Sequence, residues 1–422
     1  MVEKRNIVLI TLDSIRADHC SFMGYHRETT PTFDKIARKG LYFENAIASG
    51  VPTAPSLVGV FTGDYSSNDL RDWKPNRWRA EIRQRRTFPE ILLEHGYYTA
   101  AFNPNPGGGK YFGFDKGFKF FEDFMKDYFV KKPNLIAKIR KVINKEHALL
   151  YWEKFYISIL EWYEKIGVRS QPFFLWILLL DTHVPYLPPK KTWSRNTLID
   201  DLILLYTYYK IDRRNCKAGS KSEIRRIVNA YDDAIRYSDS FVERLVKDLN
   251  DSDPVIIIHG DHGDYLGDHG YYFHPPRPNA EIPPLYEGLI HVPLIIFNVD
   301  QKGCVDNPVS LLRLAPTILE LAGIKNESSK SLFNVESEWA IVKVIDGGKL
   351  KIAVRTKDWK YIKGQVNGDE LYNIRKDPME QANLIDDHSD IAKEMRKIVE
   401  RYVGQEKEKK QIRESILKIK NI

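Results

Sequence analysis

Short apolar runs bounded by turn residues alternate with 3.6-periodic segments over the first hundred positions, the pattern of a parallel sheet with helices on its faces. A strand is predicted over 6–12 (NIVLITL), followed by a helix over about 32–39 that Pro31 introduces and Gly40 stops. A second helix starts at Thr53 and ends before Gly63. A third, 88–95, ends at Gly96 and feeds a strand at 97–103, and later strands fall at 173–180, 255–259 and 294–298. Past Gly323 the pattern changes to short strands at 340–345, 352–355, 361–363 and 370–372, then a helix from about Ser389. The fold class read from this is α/β: a large, mostly parallel sheet between helices over 1–325, and a small antiparallel sheet with a covering helix over 326–422.

Residues 126–170 interrupt the alternation with a helical insertion, basic in its first half (Lys126, Lys131, Lys132, Lys138, Arg140, Lys141, Lys145) and aromatic in its second (Tyr151, Trp152, Phe155, Tyr156, Trp162, Tyr163). A lid or oligomer contact packed on the main domain fits this composition, as does a surface helix that meets anionic lipid. No nucleic-acid-binding module is recognisable, so no nucleic-acid partner is expected. The longest uninterrupted apolar run, 173–180, is far shorter than the roughly 20 residues that span a bilayer. No signal-peptide pattern precedes the first strand. Three widely spaced cysteines, Cys20, Cys216 and Cys304, form neither a disulfide framework nor a metal knuckle, and a cytoplasmic protein is expected. With 422 residues, 43% of them apolar, the chain can bury a large core, and its +7 formal charge favours anionic substrates through long-range steering.

In open sheets ligands sit beyond the carboxyl ends of the strands, and Asp13, Asn103, Asp181 and Asp261 all stand at or just past such ends. Asp13, Asp261 and His262 combine two carboxylates with an imidazole, a donor set for Mn2+ first, or for Mg2+, Zn2+ or Ca2+. Thr53 opens a helix, where free N–H groups and the helix dipole favour an anion. Coordination to a dication lowers the pKa of a hydroxyl, so Thr53 completes the metal set and is the candidate nucleophile. Taken singly, Thr53 and Asp13 also read as helix N-caps and Asp261-His262-Gly263 as a turn. His183, just past strand 173–180, reads as a donor to a transferring group or leaving oxygen, or as a core histidine. His274 and Arg277 lie in the loop HPPRPNAEIPP, where they reach an anion or face solvent; His274 joins His183 as a catalytic candidate that stabilises the transferring group or protonates the leaving oxygen, and Arg277 is a substrate-binding candidate. Asp264, Asp268 and His269 read as loop caps or supports for the ligands.

The segments that carry these residues resemble the sulfatase family of the alkaline-phosphatase superfamily. LDSIRADHCSFMGY resembles its first-strand segment and TAPSLVGVFTG its nucleophile helix. GFDKGF, HVPYLPP, YDDAIRYSD, GDHGDYLGDHG, LYEGLIHVPLII and LAPTILELAG follow in family order, and DWKYIKG, ELYN and DPMEQANL match its small domain. The resemblance implies a metal-dependent ester hydrolase, and it marks Asn103 and Lys110, near a family substrate loop, as pocket candidates. Two departures shape the expected chemistry. Sulfatases carry C/S-x-P-S-R, whose first residue becomes formylglycine, whereas here Thr53 cannot form that aldehyde and Leu57 replaces the arginine. Asp13-Ser14 and Asp261-His262 likewise replace an Asp-Asp and an Asp-Asn pair. A threonine with an Asp, Asp, His site resembles the phosphotransferases and phosphodiesterases of the superfamily. The expectation is therefore a hydrolase or phosphotransferase acting on a phosphate mono- or diester. A sulfuric ester hydrolase working without formylglycine, and an inactive binding protein on the same fold, are the alternatives. The expected partner is an anionic small molecule or a lipid- or saccharide-linked ester.

Overall fold

The computed structural model describes residues 4–420 apart from 73, 125–150, 166–170, 189–197, 218, 275–282, 326–329 and 365–367. Numbered along the chain, its strands are β1 (Ile7–Leu12), β2 (Leu41–Phe43), β3 (Ala46–Ile47), β4 (Tyr98–Asn103), β5 (Phe120–Asp123), β6 (Phe173–Leu179), β7 (Val255–Gly260), β8 (His291–Val292), β9 (Leu294–Phe297), β10 (Gly303–Val305), β11 (Val309–Ser310), β12 (Trp339–Asp346), β13 (Lys349–Thr356), β14 (Trp359–Ile362) and β15 (Glu370–Asn373). Eight of them form one sheet in the order β10-β2-β9-β7-β1-β6-β4-β5, β3 joins β8 and β11 in a short second sheet, and β12–β15 form a third.

β1, β6 and β7 are buried from end to end, as near-continuous apolar strands must be when helices cover both faces. Side-chain alternation divides the core accordingly. Ile7 and Leu9 face the apolar helix Thr53–Thr62, while Val8, Ile10 and Leu12 face helices Pro31–Lys39 and Lys221–Asp248. β1 runs parallel to both β6 and β7, with Leu12 opposite Leu179 and Gly260, so the chain leaves three adjacent strands at one edge. That register places Asp13 and Asp261 side by side.

Expected and observed boundaries agree within about a residue for β1, β4, β6 and β7. The sheet is mixed rather than purely parallel, because β9 pairs antiparallel with both β2 and β7. The short strands β2, β5 and β10 and the helix Leu198–Arg213 had no clear sequence signal, whereas helix Lys221–Asp248 carries a Ser220–Glu223 capping box and an apolar stripe. The basic half of the 126–170 insertion lies outside the described residues. In its aromatic half the helix is Tyr156–Lys165, and Trp152, Phe155, Tyr156 and Trp162 are buried in the core shared with Phe241, which corrects the expectation of a lipid-facing aromatic surface there. Among the described residues no helix is long and apolar enough to cross a membrane.

β12–β15 pair antiparallel in chain order, and Ala392, Met395 and Val399 of the final helix pack against Ile352, Val354, Tyr361 and Leu371 of that sheet. Where this sheet meets the main domain, the fully buried Lys360 of β14 lies 3.1 Å from Glu287 Oε1 and 2.8 Å from Glu380 Oε1. Arg355 of β13 lies 3.2 Å from Glu287 Oε2.

Candidate active site

Four loops and one helix end converge beyond β1, β4, β6 and β7. Asp13 and Asp261 are fully buried there. Asp261 Oδ1 accepts from the Ser14 and His262 amides, at 3.1 and 2.8 Å. Asp261 Oδ2 is buried with no hydrogen-bond partner and lies 3.6 Å from His262 Nε2. His262 Nδ1 lies 2.8 Å from the Gly263 carbonyl and donates to it, so Nε2 presents its lone pair to the site. Ser14, at a positive φ of 65°, donates its hydroxyl to Asp13 Oδ1 at 2.8 Å.

Thr53 is the first residue of helix Thr53–Thr62. Its Oγ1 lies 3.4 Å from Asp13 Oδ2 and 3.3 Å from His262 Nε2. The helix is clamped to the ligand loop by Ser56, whose hydroxyl donates to the Asp261 carbonyl at 2.6 Å. Thr53 therefore points at the carboxylates and is not spent on capping its own helix.

Ligand atoms of Asp13, Asp261 and His262 all lie within 4.8 Å of one another. Three atoms so spaced have a common point no more than about 2.8 Å from each, close to the roughly 2.0–2.6 Å of hard-cation bonds. Electrostatics point the same way. Burial, with Asp261 as a like-charged neighbour, raises the pKa of Asp13. Burial pushes Asp261 up to about 7 and His262 down to about 3. Two carboxylates and a neutral imidazole, with one carboxylate oxygen unpartnered, form a donor set that a dication satisfies.

His183 and His274 flank this cluster, their rings 5.1 Å apart and the His274 ring 4.3 Å from that of His262. His183 Nδ1 donates to the Val184 carbonyl at 2.6 Å. Asp264 accepts from His274 Nδ1 at 2.7 Å and from the Tyr186 hydroxyl, a supporting role as expected. Burial and His183 push His274 down to about 3, so it is a neutral ring with its one proton committed to Asp264. Asp268 holds Arg16 at 2.6 Å and His269 stacks on Tyr286, so both brace the loop.

The remaining candidates fall elsewhere. Asn103 is fully buried with its amide spent on the backbone of Asn105, which corrects its reading as a pocket residue. Lys110 is exposed, with its ammonium 5.7 Å from the Phe121 ring. Arg277 lies outside the described residues. Asp181 stands apart from the cluster, accepting from the Trp152 amide at 3.3 Å, with its other oxygen unpartnered and its pKa pushed up to about 8 by burial. Sequence reasoning missed Asn105, which donates to Asp13 Oδ2 and lies 3.4 Å from Thr53 Oγ1. It stands two residues past a strand end in a Pro- and Gly-rich turn, and extending the strand-end criterion by two positions would have found it.

This assembly and the sheet beneath it match known proteins. The Sulfatase family profile covers residues 5–324, and the chain belongs to the Sulfatase family. A sulfatase of Formosa agariphila is 24% identical over 443 residues, covering 90% of this chain and 83% of that protein. The phosphonate monoester hydrolase of Agrobacterium radiobacter superposes with a TM-score of 0.68 at 18% identity, covering 95% of this chain and 96% of that one. A protein solved in complex with its substrate D-glucosamine-2-N,6-O-disulfate superposes at 0.66 with 17% identity, covering 96% and 99%. The protein is a sulfatase-family hydrolase.

Proposed function

We propose that the protein cleaves or transfers a phosphate ester, mono- or diester, through Thr53. The observation that carries this reading is a threonine hydroxyl aimed at two buried carboxylates from a helix N-terminus, in a family whose sulfate chemistry is implied to run on formylglycine. A divalent ion held by Asp13, Asp261 and His262, for which we propose Mn2+ ahead of Mg2+, Zn2+ and Ca2+, would lower the Thr53 hydroxyl pKa and offset charge on the phosphoryl oxygens. Thr53 Oγ1 attacks phosphorus in line, forming the P–O bond to threonine as the bond to the leaving oxygen breaks. His183, whose Nδ1 donates to the Val184 carbonyl, presents the Nε2 lone pair, which takes the Thr53 proton as the hydroxyl attacks and returns it to the leaving oxygen. Water or an acceptor alcohol then attacks phosphorus and Thr53 leaves with a proton. Asn105 and the first-turn amides of the helix face the developing charge.

A sulfuric ester hydrolase is the rival reading. It is favoured by the names of the relatives and by the sulfated sugar bound to one structural neighbour. The same likeness makes a saccharide-linked anionic ester a reasonable substrate class. Against the sulfate reading stands chemistry: Thr53 has no second hydroxyl with which to expel sulfate, so water must attack sulfur directly. Three free, dispersed cysteines fit a reducing compartment, and we place the protein in the cytoplasm. Kinetics on paired phosphate and sulfate esters with Mn2+, together with mass spectrometry of the Thr53 peptide, test the proposal. A trapped phospho-threonine and faster phosphate-ester turnover support it, and multiple turnover confined to the sulfate ester overturns it.

A further inference from the structure

Helix Leu198–Arg213 carries apolar residues on two opposite sides, a composition expected where both faces are covered. Its inner side is covered: Leu204 and Ile211 join the core of Ile227 and Tyr231, and Thr207 is buried with them. Its outer side is open. Ile199, Leu202, Ile203, Tyr206 and Tyr209 are 40–66% exposed. At 3.6 residues per turn these five positions form one stripe, which Lys210 and Arg213 extend toward the C-terminal end. The helix's acids, Asp200, Asp201 and Asp212, fall roughly 120° or more away from the centre of that stripe. Beside it, a cleft of about 250 Å³ opens toward helix Lys221–Asp248, with Arg225, Arg226 and Asn229 in its lining and Asp200 as its acid.

The helix also touches the machinery of the site. The Tyr186 amide donates to the Tyr208 hydroxyl at 2.8 Å, and the Tyr186 hydroxyl donates to Asp264, which holds His274. Just past the helix, the Cys216 carbonyl accepts from the Tyr272 amide at 2.8 Å, two residues before His274. Whatever covers the outer stripe therefore lies on the element that braces both histidine loops.

We propose that this stripe is a docking surface for an anionic lipid bilayer. A row of branched aliphatic side chains and tyrosines, with Arg213 on the same side and the acids turned away, is the composition of a helix that lies in the plane of a membrane interface. Arg213 complements anionic headgroups, and Arg225 and Arg226 in the cleft next to it offer further positive charge against the single Asp200, while Lys210 is held 2.5 Å from Glu223. The extension that the hydrolysed ester is presented at headgroup level rests on the phosphate-ester reading, whereas the docking itself does not.

Co-sedimentation of the full chain with phosphatidylcholine vesicles, with and without phosphatidylglycerol, tests the docking without any turnover measurement. We expect pelleting that requires phosphatidylglycerol and weakens as salt is raised. The double variant Leu202→Asp, Tyr206→Asp should bind at least about tenfold more weakly, since it puts charge where apolar groups enter the interface. Arg213→Glu should lose roughly fivefold or more, at low salt only. All three positions are exposed, so an unchanged thermal midpoint in these variants shows that the loss is one of docking and not of fold. Pelleting that is independent of lipid, or undiminished in the double variant, overturns the proposal. So does a concentration-dependent dimer, seen by analytical ultracentrifugation, that the double variant abolishes. Failure of the phosphate-ester reading would show in the ester kinetics and leave the vesicle result untouched.

Discussion

Asp13, Asp261 and His262 meet at the sheet edge, while Glu287, Glu380, Lys360 and Arg355 meet where β13 and β14 join the main domain. Both groups are buried, and only the second brings its own positive charge. Burial acts to raise Glu287, yet Lys360 and Arg355 hold its carboxyl below the usual range. Asp261 has no such partner and rises instead. Asp181 shows a third outcome: with Glu153 near it and no cation, burial leaves it holding a proton. A buried carboxylate must be neutralised by a metal, a basic side chain or a proton, and which one this fold provides separates a reactive site from a structural joint.

The sharpest way to break the comparison is at the site. Thr53→Ala should lower turnover by at least about 10³-fold, since it removes a covalent nucleophile, while costing only about 1 kcal/mol of stability. Kinetics beside a denaturation curve measure both, and near-normal turnover would remove Thr53 from the chemistry. Next in size is the joint. Lys360→Met strands Glu287 and Glu380 and should cost about 3–5 kcal/mol in chemical denaturation, with metal affinity unchanged. Loss of metal binding in that variant would show that the two clusters are coupled.

Chelation should matter less. At a free-ion concentration of about 100 Kd, the metal contributes about 2.7 kcal/mol, so chelator lowers the thermal midpoint and Mn2+ restores it. Asp261→Asn should show no such shift, and an equal shift would move the ion elsewhere. Per pH unit, the smallest effect belongs to Asp181. Folded, it keeps its proton up to about pH 8, whereas unfolded it releases it near its ordinary value of 3.8. Folding therefore takes up a proton in that window, and stability falls as pH rises through it, by at most about 1.4 kcal/mol per pH unit. Asp181→Asn, which keeps an acceptor for the Trp152 amide, should flatten that slope in denaturant titrations run across the window. An unaltered slope would assign the proton to another group.

Much of this contrast was legible in the chain. β1 and β7 announce themselves as apolar runs that end in Asp13 and Asp261, and Pro55 and Gly63 frame the helix that carries Thr53. What could not be read there is pairing. Asn105 reaches Asp13 only because the Asn103 amide folds the turn back, and Lys360 meets Glu287 across 73 residues of chain. His274 was visible as a histidine in a loop, but its tautomer depends on Asp264, ten residues earlier. Helix Leu198–Arg213 lacks helical periodicity because both of its sides are apolar, so a reading built on alternation passes over it.

Leu57 ties the departure from the family's nucleophile motif to the packing beneath it. It is fully buried, and its Cδ1 lies 2.9 Å from where a Cβ on Gly108 would stand, with Leu178 and Trp176 beside the same point. Placing arginine there would bring a guanidinium into a packed apolar pocket, and replacing Thr53 with cysteine would leave that obstacle untouched. Installing both residues would need the Pro106–Gly108 turn and its neighbours to be rebuilt as well, so the leucine and the threonine are fixed together by the packing around them.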